Sequence, residues 1–325
     1  MTPTRLNYPV DRHGLIRRDL TVEAGFSDHD LAHSVKTKQL IRLTSGVYRA
    51  RIDVDPEDRT AVAEAKIEAF RLKSLAIATG RDHGGNTALS HTSAAIVHGL
   101  PLLKPELEMV HLTNGEIGGG RARKNSLLHA SDLPAGDVVK VNGVWITSLA
   151  RTAADVAQLA PAHDPLAFSQ AMTVFDAALR AGVDRDELAA QLDRRRRRGT
   201  RVAKAALPWA DRRAESVGES WGRAQMIQRG LPAPELQVEY HVGGETHRVD
   251  GDWERKLVWE FDGRGKYQRY LADGETPADA YWREKKREDA LRSLGVFVVR
   301  TYWDLMERGR AVDPIERALF HLGLC

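Results

Sequence analysis

The chain has 325 residues, 42% of them hydrophobic and 29% charged, enough to bury more than one core, so length points to two or three domains rather than one. Net charge is only +3, and a single cysteine, Cys325, excludes a disulfide framework and a cysteine-ligated zinc site. Charged residues (Arg5, Asp11, Arg12, Arg17, Arg18) interrupt any apolar run near the N-terminus, and no segment approaches the ~18 apolar residues of a membrane span, so a soluble cytoplasmic protein without membrane contact is expected.

The first domain is expected over residues 1–58. Leu20 to Ala24 reads as a short helix, Gly25-Phe26 as a turn, and Ser27 as the cap of a second helix, with Asp30 at capping-box spacing. Leu31 and Val35, four apart, face inward and leave Asp28, His29, Ala32, His33 and Lys36 outside. Leu40 to Leu43 and Val47 to Arg49 form a hairpin around Thr44-Ser45-Gly46. Helix, turn, helix, hairpin is the order of a winged helix. Such a unit offers His29, His33 and Lys36 to a DNA major groove, and Arg42 and Arg49 on the wing to phosphates. Use of the same surface for protein contacts is the alternative.

Residues 59–212 mix helical patterns with a few strands and read as a scaffold. His91 and His98, seven apart on a helix, share a face, but no carboxylate accompanies them at ligand spacing, so packing or capping roles are expected. Arg151, Thr152 and Asp155 look like a helix start with internal pairing. The run Arg194 to Arg198, with Arg201 and Lys204 beyond it, is either a solvated hinge or a phosphate-facing loop, in which Arg195 and Arg196 are the candidate contacts. Gly199 and Pro208 mark the passage to the last domain.

From residue 213 to 325 the pattern is sharper. A helix over ESVGESWGRAQMIQ stops at Gly230, LPAP leads into the strand LQVEYHV, and Gly243-Gly244 turn it into THRVDGDW. The charged turn Glu254 to Lys256 precedes a third strand, LVWEFD. Thr276 caps and Pro277 opens a long helix to about Leu294, ended by Gly295, and VFVVRTYW reads as a buried strand. The order is αβββαβ. Alternation puts Leu257, Trp259 and Phe261 on one face of the third strand and Val258, Glu260 and Asp262 on the other. Asp250, ending the neighbouring strand, is expected beside Glu260. Close acids repel unless a cation neutralises them, and oxygen-only ligands favour Mg²⁺ or Mn²⁺. A second basic group, Arg283, Lys285, Lys286 and Arg287, lies on the long helix.

This order and these motifs resemble the restriction-endonuclease-like superfamily with its PD-(D/E)xK signature. ESWGRAQMIQRGLPAPELQ, RVDGDW, LVWEFDGRGKY, KKREDALRSLG and VVRTYWDL resemble its DUF559 branch, related to very-short-patch mismatch repair endonucleases. The N-terminal winged helix and middle segment are similar to the AbiEi-type antitoxin of type IV toxin-antitoxin systems. The resemblance implies an α+β multidomain protein acting on double-stranded DNA. Asp250 and Glu260 match the signature acids, and Glu219 the acid contributed by the preceding helix; the three would hold the metal. Asp262 stands where the signature has lysine, and Lys266 where the branch commonly has histidine. Either Lys266 or Lys286 would stabilise phosphate charge.

Two functions follow: a divalent-metal-dependent DNA endonuclease of defence or repair, or a transcriptional autorepressor of the antitoxin type with a non-catalytic nuclease-like domain. The latter implies a cognate toxin gene product in the same operon, without direct binding. A pure interaction protein leaves the wing, two basic clusters and the acids as coincidences. Glu219 and Glu260 as structural acids, paired with Arg223 and Arg287, is the reading opposed to catalysis.

Overall fold

The computed structural model describes residues 7–80, 87–116, 118–194, 197–263 and 276–325. Among them, three sheets with helices between give a mixed α and β architecture. No helix among the described residues is long and apolar enough to cross a membrane. The chain divides into two compact units, Met1–Leu100 with Pro105–Asp155, and Pro101–Lys104 with Val156–Cys325.

The first unit opens with β1 (Ile16–Arg17), α1 (Arg18–Glu23), α2 (Asp28–Lys36), β2 (Leu40–Thr44) and β3 (Val47–Ala50). The capping box forms as its spacing requires: Ser27 Oγ accepts from the Asp30 amide at 3.2 Å, and Asp30 Oδ2 accepts from the Ser27 amide at 2.8 Å. β2 and β3 pair antiparallel, and β1, which carries no local signal in so short a segment, adds to β3 through Ile16–Tyr48 and Arg17–Val47. Tyr8, Ile16, Leu31 and Leu40 make a small core, closed by Phe26, Val35 and Tyr48.

Next come α3 (Arg59–Thr79), β4 (Ala88–Leu89), α4 (His91–Val97), β5 (Val110–Thr113), β6 (Arg121–Arg123), β7 (Ser126–His129), β8 (Val138–Val141), β9 (Val144–Thr147) and α5 (Leu149–Ala157). The strands join in the order β6-β7-β5-β4-β9-β8, a larger sheet than the sequence pattern suggests, because strands of two to four residues leave almost no periodicity to read.

The second unit contains α6 (Ala167–Arg180), α7 (Arg185–Arg194), α8 (Thr200–Ala206) and α9 (Val217–Gln228). The sheet strands β10 (Glu235–Val242), β11 (Glu245–Trp253) and β12 (Leu257–Asp262) follow. It ends with α10 (Pro277–Ser293), β13 (Phe297–Tyr302), α11 (Trp303–Glu307) and α12 (Val312–His321). The sheet runs β10-β11-β12-β13, antiparallel except for the β12–β13 pair. Gly243 and Gly244, at φ +60° and +84°, close the β10–β11 hairpin between the paired residues Val242 and Glu245.

Alternation in β12 holds. Leu257, Trp259 and Phe261 pack with Trp221 and Met226 of α9 and Ile315 of α12, while Val258 packs on the opposite face with Tyr240, Val249 and Leu291 of α10. β13 departs from the expected buried strand. It is the sheet edge, with Phe297 50% and Tyr302 42% exposed, and burial on both faces belongs to the interior strand β12.

Candidate functional site

Of the acids named from sequence, Asp250 lies inside β11 rather than at its end, because the strand continues to Trp253 to pair with β12, and Glu260 and Asp262 lie at the C-terminal end of β12. The β11–β12 ladder pairs Asp252 with Val258 and Gly251 with Trp259, so Asp250 is the next position on its strand and Glu260 the next on the other. Asp250 Oδ2 accepts a hydrogen bond from the Phe261 amide at 2.8 Å. Asp262 closes β12, half-buried, in register with Tyr302 of β13.

Glu219 reaches the same place from the first turn of α9, which Ser216 caps by accepting from the Glu219 amide at 3.1 Å. Its carboxylate is buried, accepting at Oε2 from the Glu215 amide at 2.9 Å and from Gln237 Nε2 at 3.1 Å. Gln237 has φ +57°, and the β10–β11 ladder passes from Leu236–Gly251 to Val238–Val249, skipping Gln237 opposite Asp250. Such a left-handed non-glycine residue distorts the strand and re-aims its side chain. Burial first, then repulsion from Asp250, raises the Glu219 pKa against the hydrogen bonds that lower it. The donors are all oxygen, the chemistry a hard divalent cation takes, and Glu219 and Asp250 repel one another, yet among the described residues these acids do not gather three ligand oxygens into one metal-sized cluster.

Glu260 has a protein cation instead. Arg287 Nη2 of α10 lies 2.7 Å from Glu260 Oε1 and also donates to the Arg248 carbonyl. Arg223, expected as the partner of Glu219, turns elsewhere: Nη1 binds Asp176 at 3.1 Å and Nη2 the Trp209 carbonyl at 2.7 Å, because it sits one turn beyond Glu219 against α6. Lys286 is exposed on α10 beside Arg283 and Lys285. Lys266 lies outside the described residues, as do Arg195 and Arg196. Gln237 carries no sequence signal; only strand register sets it opposite Asp250.

In the first unit His29, His33 and Lys36 line the exposed side of α2, and Arg42 is exposed on β2. Arg49 is half-buried on β3, with Nη1 donating to the Ala50 carbonyl at 3.0 Å. The two histidines expected on one helix face part company: His98, just past the end of α4, bonds the Thr147 carbonyl through Nε2 at 2.8 Å, whereas His91, at its start, stacks on His129 with ring centroids 3.9 Å apart. His111, near both, is pushed by burial to a pKa of about 4.

No family model matches the chain. Among curated proteins it is similar to two uncharacterized proteins of Mycobacterium tuberculosis, one from strain CDC 1551 / Oshkosh and one from strain ATCC 25618 / H37Rv. Each is 37% identical over 186 residues, 55% of this chain. The match spans 64% of the length of each relative.

Proposed function

We propose that the protein binds double-stranded DNA through an N-terminal winged helix and hydrolyses phosphodiester bonds at a restriction-endonuclease-like αβββαβ domain, in defence or repair. The observation that supports this reading is the repulsion between Glu219 and Asp250, two acids from separate elements, with Gln237 hydrogen-bonded to the first and opposite the second in strand register. A buried carboxylate held close to a second one is costly to folding, and a cation is the ordinary remedy. Asp250, Glu219 and Glu260 are the residues that would hold it. A Mg²⁺ or Mn²⁺ ion held there would supply Lewis-acid stabilisation of phosphate charge.

The chain's own groups do the rest. Asp262, at the strand end, orients water near the acids. Lys286, exposed on α10, meets phosphate, as Lys266 would from its own position in the signature. On the winged helix, His29, His33 and Lys36 face base edges and Arg42 the backbone, which fixes register on the duplex.

One observation favours the second reading, an autorepressor with a non-catalytic domain: Arg287 already neutralises Glu260. Incubation with supercoiled and linear DNA, with Mg²⁺, with Mn²⁺ and with EDTA, separates the two. Cleavage that disappears in EDTA, in Asp250→Ala and in Glu260→Ala is the expected result. DNA retention with no metal-dependent cutting by the wild-type protein would instead establish the repressor.

A further inference from the structure

We propose that His91, His111 and His129 form a binding site for one transition-metal ion of the zinc class, separate from the acids of the second unit. Their ligand nitrogens all lie within 4.8 Å of one another, though 20 and 18 residues separate them along the chain. Topology brings them together. β5 and β7 are parallel neighbours with Thr113 opposite His129, and His111, two residues before Thr113, shares its face of the sheet. α4 then lays His91 across that face.

The contacts around the rings are those of a metal site. His111 Nδ1 and His129 Nε2 face each other at 2.9 Å, one donating its proton to the other as the tautomers dictate. An ion can take the place of that proton: at a Zn–N distance of ~2.0–2.1 Å, tetrahedral ligands stand ~3.3 Å apart, within reach of small side-chain rotations. His91 Nδ1 is fixed by Ser90 Oγ at 2.9 Å, which is in turn bound by Thr113 Oγ1 at 2.9 Å, an outer shell that orients the ring. The His111 amide donates to Ser93 Oγ at 2.9 Å, tying strand to helix.

His91 itself has φ +50°, a left-handed conformation that a histidine adopts at a cost in energy. A purely packed core gains nothing by placing three imidazoles and this strain at one point. Imidazole donors suit zinc, copper, nickel or iron, and suit Mg²⁺ poorly. Three of them leave the remaining position of a tetrahedral ion to water or another ligand.

The test is calorimetric titration of the chelator-treated full chain with Zn²⁺ in excess Mg²⁺, repeated with His129→Ala, His129→Asp, Ser90→Ala and Asp250→Asn. One equivalent of zinc is expected in the wild type and in Asp250→Asn. Affinity should fall more than ~100-fold in His129→Ala and ~10-fold in Ser90→Ala. His129→Asp, which supplies a carboxylate ligand in place of the imidazole at a half-buried position, should recover most of it. Co²⁺ should give visible tetrahedral absorption in the wild type that His129→Ala lacks, with circular dichroism confirming that the variant is folded. Absence of stoichiometric zinc, or binding equal in wild type and a folded His129→Ala, would show three packed histidines and overturn the site. Loss in Asp250→Asn alone would move the metal to the acids and overturn it equally.

Discussion

Arg151 is fully buried, its Nε 2.7 Å from Asp155 and its Nη1 2.9 Å from Asp137, with the Ser131 hydroxyl and Asp132 carbonyl accepting the remaining contacts. A buried pair adds little net stability when complete, but removing one partner strands the other charges. Arg151→Ala should lower stability by ~3–5 kcal/mol in urea denaturation; a loss below about 1 kcal/mol would mean that water reaches the aspartates. The i to i+4 half of this network is legible in the motif SLARTAADVA, whereas Asp137 and Ser131 enter only through the fold. At Glu219 the raised pKa fixes a sign. The folded protein holds that proton to higher pH than the unfolded chain does, so the contribution of Glu219 to stability is greatest below the ordinary glutamate value of 4.5 and is lost as pH rises toward the raised one. The difference in urea midpoint between the wild type and Glu219→Gln should shift with pH across that range, the wild type losing ground to the variant as pH rises; a difference that does not change with pH would remove the shift at Glu219.

Helix α9 seats its glycines against the sheet. A Cβ at Gly218 would overlap the Phe261 ring, and one at Gly222 would overlap the Trp259 ring. Alanine gains up to ~1 kcal/mol of helix propensity over glycine, but overpacking a filled core costs ~1–3 kcal/mol and involves ring shifts. Packing should win. Gly222→Ala is expected to lower the thermal midpoint; a rise would mean that α9 lifts off β12 without penalty. α10 is different in kind, since its capping box, Thr276 with Asp279 three residues on, is exposed and local. Thr276→Ala should therefore cost only the ~1 kcal/mol of an N-cap, read from the same denaturation curves. The glycines of ESVGESWG gave no hint in sequence of which aromatic they would meet, because helix spacing names a face and not its partner.

At the scale of the whole chain, the second unit takes in Pro101–Lys104 from far upstream of the rest of its residues. Leu103, 3% exposed, lies in the same core as Trp221, Trp253 and Trp259. Six of the seven tryptophans belong to this unit, so fluorescence follows it selectively. Leu103→Ala should destabilise the fluorescence transition by ~2–5 kcal/mol. An unchanged midpoint would remove this segment from the core. The helices of 156–212 also belong by their contacts to the second unit, whereas the sequence places its boundaries at 58/59 and 212/213.

The sequence by itself determined the caps at Ser27 and Thr276, the Gly243-Gly244 hairpin and the order αβββαβ. It also separated the faces of β12. Each is written within a few residues, by a side chain reaching its own backbone, a turn that needs positive φ, or a period of two. The tertiary structure alone decided the addition of β1 to β3, the edge position of β13, the turning of Arg223 from Glu219 to Asp176, Gln237 opposite Asp250, and the gathering of His91, His111 and His129. Those depend on register and on loop closure, where which residue meets which is set by the sum of many weak contacts across the fold rather than by any local preference.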